Sequence, residues 1–149
     1  RYFPLTRLYT LLLNSDFGYG DGYGSEPLPF FKNFYAGGVS SVRGFKSYTI
    51  GPKDTDGNPR GGSQRLVGNA EFLFPFPGLE NDRSVRLSTF MDMGYSGDKF
   101  DFEQLRFSAG LAVFWASPLG PLKISVAAPL RKQPLDDTQV FQFTIGGIF

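Results

Sequence analysis

The sequence contains no cysteine and no histidine. The first absence excludes disulfide staples and thiol chemistry; the second removes the commonest zinc ligand and the commonest general base. No nucleophile–base arrangement or metal-ligand cluster can be assembled from what remains, so the chain is read as a non-enzyme needing no cofactor and no metal. Charge is sparse: Asp, Glu, Lys and Arg together make up 19% and the net charge is +1. The basic residues are scattered, which leaves no footprint for nucleic acid. No apolar run approaches the length of a membrane helix. Tryptophan occurs once.

What is abundant is equally specific. Among 149 residues there are 17 Phe, 7 Tyr and 19 Gly. That balance favours sheet over helix and suggests aromatic side chains near an interface. Alternation then marks the strands. Leu5 to Asn14 (LTRLYTLLLN) is the first candidate, and Phe17 to Gly24 either extends it or forms its turn. In Arg65 to Phe74, Val67, Asn69, Glu71 and Leu73 oppose Gly68, Ala70, Phe72 and Phe74. In Val85 to Met93, Arg86, Ser88, Phe90 and Asp92 share one face. Leu105 to Trp115 sets Arg106, Ser108, Gly110 and Ala112 against larger apolar residues. Leu122 to Leu130 sets Lys123 and Ser125 against Leu122, Ile124 and Val126. In Val140 to Phe149, Phe141, Phe143, Ile145 and Phe149 oppose Gln142, Thr144 and Gly146.

This is hairpin grammar without intervening helices. Strands of about nine to eleven residues suit a tilted membrane crossing better than a soluble sandwich. A soluble half-buried sheet would also alternate, but with more Lys and Glu on its wet face. The expected fold is therefore all-β: an antiparallel transmembrane β-barrel, of which the chain supplies roughly the last six strands. Lipid tolerates no free strand edge, and about six strands fall short of the smallest natural barrel. The remaining barrel strands must come from elsewhere in the same protein or from a partner.

One region breaks the alternation. A connection of roughly thirty residues, from about residue 30 to 62, is far longer than a hairpin loop. Its tail, Gly51 to Ser63, reads as exposed polar turn. Its middle carries Phe34, Tyr35, Val39, Val42, Phe45, Tyr48 and Ile50, too apolar for a loop left in solvent. The loop is expected to fold inward and pack.

Within it stands Val42-Arg43-Gly44-Phe45. Around it are FGYGDGYG at Phe17 to Gly24, NFYAGG at Asn33 to Gly38, TIGPK at Thr49 to Lys53, MDMG at Met91 to Gly94 and SPLGPL at Ser117 to Leu122. In these words, and in their order, the chain resembles the C-terminal part of the barrel in the BamA-like family of outer-membrane assembly factors, also called the bacterial surface antigen family. The resemblance spans nearly all of the chain. It implies a sixteen-stranded barrel whose upstream strands and periplasmic POTRA domains are absent here. It also implies the outer membrane of a Gram-negative bacterium, and insertion of nascent β-barrel clients without covalent chemistry. The implied partners are outer-membrane lipids, those clients, the lipoproteins of an assembly complex and the rest of the barrel. A TamA-like or two-partner-secretion transporter shares the loop motif, and a passive pore or receptor barrel would fit the strands.

Two groups of residues follow as candidates. A buried arginine needs a carboxylate, because an unpaired buried charge is costly. The inward acids on adjacent strands are Glu71 and Asp92, and the resemblance points to the same pairing. Arg43, Gly44, Phe45 and Val42 with Glu71 and Asp92 thus form a candidate clamp, Gly44 allowing a sharp turn or close approach. The alternatives are a solvent-facing Arg43 and an Asp92 that caps a strand end. The second group is the last strand. Phe141, Phe143, Ile145 and Phe149 match the aromatic ending of outer-membrane barrels, or a plain aromatic girdle. The resemblance implies that this last strand closes weakly on the first; Gly146 and Gly147 would weaken its packing there, and a seam that opens could pair with an incoming strand.

Overall fold

A computed structural model describes the chain except residues 25, 27, 80–83 and 147–149. Its frame is one antiparallel sheet of seven strands, in the order β1-β2-β4-β5-β6-β7-β9. The strands are β1 (Tyr2–Pro4), β2 (Thr10–Tyr19), β4 (Gln64–Pro75), β5 (Val85–Gly97), β6 (Arg106–Ser117), β7 (Gly120–Arg131) and β9 (Phe141–Ile145). Two further strands of two residues each, β3 (Gly44–Phe45) and β8 (Thr138–Gln139), pair with each other outside that sheet. No helix among the described residues is long and apolar enough to cross a membrane.

The sheet is a meander, each strand returning antiparallel beside the one before it. Pro75 closes β4, and the Leu79 amide then turns back to the Phe76 carbonyl at 2.9 Å. Between β6 and β7 only Pro118 and Leu119 intervene, and the Ser117 hydroxyl donates to the Gly120 carbonyl at 2.6 Å. At the end opposite these turns lie the connections 20–63, 98–105 and 132–137, the first by far the longest. The first folds back over one face of the sheet.

Alternation sorts the two faces. Glu71, Ser88, Phe90, Asp92, Arg106, Ser108, Ala112, Ser125, Ala127 and Gln142 are buried on the inner face beneath the loop. Leu13, Met91, Leu111, Val126, Phe141, Phe143 and Ile145 are exposed on the outer face. A continuous apolar outer face over a polar inner one is the inverse of a soluble sheet packed on a core, and it suits contact with lipid. The apolar core is correspondingly small. It consists of Ala36, Val42, Phe45 and Ile50 of the loop against Val67, with a second cluster of Phe90, Ala112 and Ala127.

The structure differs from the strand boundaries read by alternation in several places. Leu5 to Asn14 is not one strand: Leu5 and Thr6 both donate to the Tyr9 carbonyl in a turn, and β2 begins at Thr10 and runs through Phe17 to Tyr19. A three-residue β1 precedes it, giving seven strands in the sheet where six were expected. The long connection accordingly starts at Gly20, ten residues before the position expected from Pro29 and Phe30. Its tail is only partly exposed. Residues 54–58 are exposed, but Gly61 and Gly62 are buried, and Gly62 exchanges backbone hydrogen bonds with Phe34 at 2.8 and 3.0 Å. The last strand ends at Ile145, so Gly146 (φ +74) lies just beyond β9 and not within it.

Candidate functional site: an arginine of the inward loop on the sheet wall

The site is built by bringing a loop residue to the middle of two long strands. Loop residues Phe34 and Ser41 are tied to the wall by side chains of the inner face. The Ser96 hydroxyl donates to the Phe34 carbonyl at 2.8 Å, and the Asn69 amide to the Ser41 carbonyl at 2.6 Å. Val42 then fills the space above Gly94, where a Cβ would lie 2.3 Å from its Cγ2. Gly44 has φ +89, and a Cβ there would lie 3.1 Å from that of Ala127 and 3.4 Å from that of Ser108. A side chain at residue 44 would be both strained and crowded, so the backbone can lie flat on β6 and β7 only with glycine.

Between them Arg43 points at the wall and is 3% exposed. Its Nε donates to Asp92 Oδ2 and its Nη2 to Asp92 Oδ1, both at 2.7 Å. This is the bidentate geometry that favours arginine over lysine. Nη1 donates to Glu71 Oε2 at 2.8 Å, and the Arg43 backbone amide adds a bond to Asp92 Oδ2 at 3.0 Å. The guanidinium carbon sits 3.5 Å from the centroid of the Phe90 ring, within cation–π range. Asp92 is fully buried in mid-strand, opposite Asn69 on β4 and Ser108 on β6. That position rules out a strand-end cap, and the burial of Arg43 rules out a solvent-facing charge.

Two acids are not neutralised by one arginine. Lys123 on β7 supplies the second cation, donating to Glu71 Oε2 at 3.1 Å, and the Ser88 hydroxyl donates to Oε1 at 2.5 Å. The group is thus buried Arg43, Glu71 and Asp92 with part-buried Lys123, two charges of each sign. Such a group holds the loop in one position more than it adds to stability, because desolvation offsets much of the attraction. Among the described residues no cluster of His, Cys, Asp or Glu could hold a metal ion.

All six candidate clamp residues come together: Val42, Arg43, Gly44 and Phe45 from the loop, Glu71 and Asp92 from the wall. The candidate residues of the last strand lie elsewhere. Phe141, Phe143 and Ile145 are 54%, 62% and 60% exposed on the outer face, and the Gly146 amide donates to the Pro121 carbonyl at 2.9 Å. Gly147 and Phe149 lie outside the described residues.

Sequence reasoning missed Lys123, Ser88 and Phe90 as members of the site. Alternation had put all three on the inner face, but it does not say how far a side chain reaches across neighbouring strands. It also missed a second buried pair. Arg106 at the start of β6 holds Asp136 through Nε and Nη2, each at 3.0 Å. A nearby surface pair joins Lys53 to Asp137 at 2.9 Å. Lys53, helped by Lys46, holds the Asp137 carboxyl below the usual carboxylate range. A depressed carboxylate contributes stability above its unfolded pKa, and the contribution is lost as pH falls through the folded value. This contact is therefore expected to hold unchanged through neutral pH and to release only in acid, below about pH 4. Acid-induced mobility of a spin label beside residue 53 should report that release and should be absent in Asp137→Asn.

Comparison with known proteins agrees with this architecture. The model of the Omp85 superfamily domain matches residues 1–149. The outer membrane protein assembly factor BamA of Neisseria meningitidis serogroup B is 41% identical over 180 aligned positions, covering 99% of this chain and 23% of that protein. BamA of Nitratidesulfovibrio vulgaris is 34% identical, covering 85% of this chain and 16% of that protein. Among solved structures, Haemophilus ducreyi BamA lacking POTRA domains 1–3 superposes with a TM-score of 0.86 at 29% identity, covering 95% of this chain and 32% of that one. The chain spans about a quarter or less of the length of these two curated relatives. With its antiparallel sheet similar to part of a BamA structure, and a family model matching from first residue to last, the chain belongs to the Omp85 superfamily.

Proposed function

We propose that this chain is the C-terminal part of a sixteen-stranded outer-membrane barrel that assembles and inserts other β-barrel proteins, as BamA-like proteins do. The observation that carries the reading is the inward loop, locked by Arg43 to mid-strand acids in a chain of this superfamily. A passive pore or receptor barrel would leave this ordered loop unexplained. Upstream barrel strands and POTRA domains would complete the protein.

In this reading the clamp of Val42, Arg43, Gly44, Phe45, Glu71 and Asp92 braces the lumen side of the wall. The last strand, with Phe141, Phe143 and Ile145, and the glycines 146 and 147 that follow it in sequence, form one side of a weak seam. Phe149 would supply the aromatic ending. An edge that opens there offers unpaired N–H and C=O groups, to which an incoming client strand can pair. The partners are outer-membrane lipids on the apolar face, nascent barrel clients at the seam and lipoproteins of an assembly complex. The place is the outer membrane of a Gram-negative bacterium, and the work is templating and local membrane disturbance without bond chemistry.

Depletion of the full-length protein tests this. Unrelated outer-membrane barrels should lose their folded, heat-modifiable form, and wild-type protein should restore it. Loss of a single secreted substrate, with general barrel assembly intact, would instead identify a transporter. A change in solute permeability alone would identify a pore.

A further inference from the structure

The connection between β7 and β9 carries two adjacent aspartates with opposite partners. Asp136 faces the wall. Besides its two bonds from Arg106, it accepts the Gln133 amide at 2.8 Å, and Arg106 Nη1 donates to the Gln104 carbonyl at 2.6 Å. The Arg106 and Asp136 side chains are 5% and 2% exposed. Asp137 faces the inward loop. Its carbonyl accepts the Lys46 amide at 2.9 Å, and its carboxylate accepts Lys53. Immediately after it, Thr138 and Gln139 pair with Phe45 and Gly44 as β8 and β3. Further on, the Gln142 side-chain amide donates to the Phe45 carbonyl at 2.8 Å. Among the described residues β9 has one neighbour in the sheet, β7, in register along Phe141–Ile145, with backbone bonds at Val140 and Gly146 on either side.

We propose that Asp136 and Asp137 are positioning residues that couple the inward loop to the terminal strand. Asp136 seats the hairpin tip on the wall, and Asp137 with β8 fastens the loop to that tip. The loop, not the sheet alone, then sets where β9 begins. Because only Gly44 separates Arg43 from Phe45, the arginine anchor and the start of the terminal strand move as one unit. Withdrawal of Arg43 from Asp92 and Glu71 would pull β3 off β8 and take the Gln142 partner away. The inference concerns the coupling itself and holds whatever the barrel does.

Amide hydrogen exchange on the full-length protein in lipid nanodiscs tests it. Arg43→Lys and Arg106→Gln should each speed exchange across residues 138–145 by about tenfold, as expected for local opening. The amides of β4 and β5 facing each other should be unchanged, and the barrel should stay heat-modifiable. Lys53→Asp combined with Asp137→Lys should restore the protection that either change alone removes. If Arg43→Lys loosens the loop while 138–145 keep their protection, the coupling does not exist. Should either arginine variant lose its heat-modifiable form, Asp137→Asn at a half-exposed carboxylate decides. Faster exchange in both 44–53 and 138–145 supports the coupling; unchanged exchange in 138–145 overturns it.

Discussion

Arg43→Ala in the full-length protein is expected to release the loop from the wall and, on the function proposed above, sharply reduce assembly of client barrels. The substitution removes three side-chain hydrogen bonds and the ring contact with Phe90, and it leaves Asp92 buried without its counter-charge. Breaking a buried pair from one side costs about 3–5 kcal/mol. That loss should loosen the loop around Val42 and Phe45 and make residues 36–50 more accessible to protease. Arg43→Lys should fall between: an ammonium can reach one carboxylate but cannot bridge Asp92 bidentately and Glu71 at once. Limited proteolysis in membranes, read beside the yield of folded client, checks both. A fully protected loop with normal client yield in Arg43→Ala would reject the clamp.

Gly110→Val should damage the fold itself, and the site with it. Residue 110 lies on β6, opposite Phe90 on β5 and Ala127 on β7. A Cβ there would be 2.1 Å from the Val126 carbonyl oxygen, 2.8 Å from the Ala127 Cα and 2.8 Å from Phe90 Cζ. The first two are backbone atoms and cannot step aside as a side chain might. Overpacking of this kind costs about 1–3 kcal/mol or more, and here it also presses on the ring beneath Arg43. The expected result is a barrel that unfolds at lower temperature in the heat-modifiability assay, with β6–β7 amides exchanging faster. A valine variant with wild-type thermal behaviour would mean that this glycine is not under the constraint the geometry describes.

Much of this was legible in the chain because strand alternation is a two-state code. Once Glu71 and Asp92 fall on the face opposite Phe72 and Met91, their inward orientation follows. The apolar loop then has a wall to meet and Arg43 has acids to find. The first strand was misread because Leu11, Leu12 and Leu13 blur the alternation, while the turn at residues 5–9 holds no glycine or proline of its own and only Pro4 precedes it. Lys123 was visible as an inward charge. Its bond to Glu71 was not, because β4 and β7 are brought within reach only by the curvature of the sheet and the length of a lysine. Arg106 and Asp136 escaped for a related reason: one sits on a strand and the other in a polar turn, and sequence periodicity does not say which turn folds onto which strand.

The central claim is that Arg43 and Asp92 act as one contact that holds the loop inside. A double-mutant cycle on loop protection tests it most directly, using Arg43→Ala, Asp92→Ala and the two together in the full-length protein. Residues that share one contact are coupled by about 0.5–3 kcal/mol, whereas distant sites add. The predicted result is that the double variant loses no more protection than the worse single variant. Costs that simply add would contradict the account, because the arginine and the aspartate would then be holding different things.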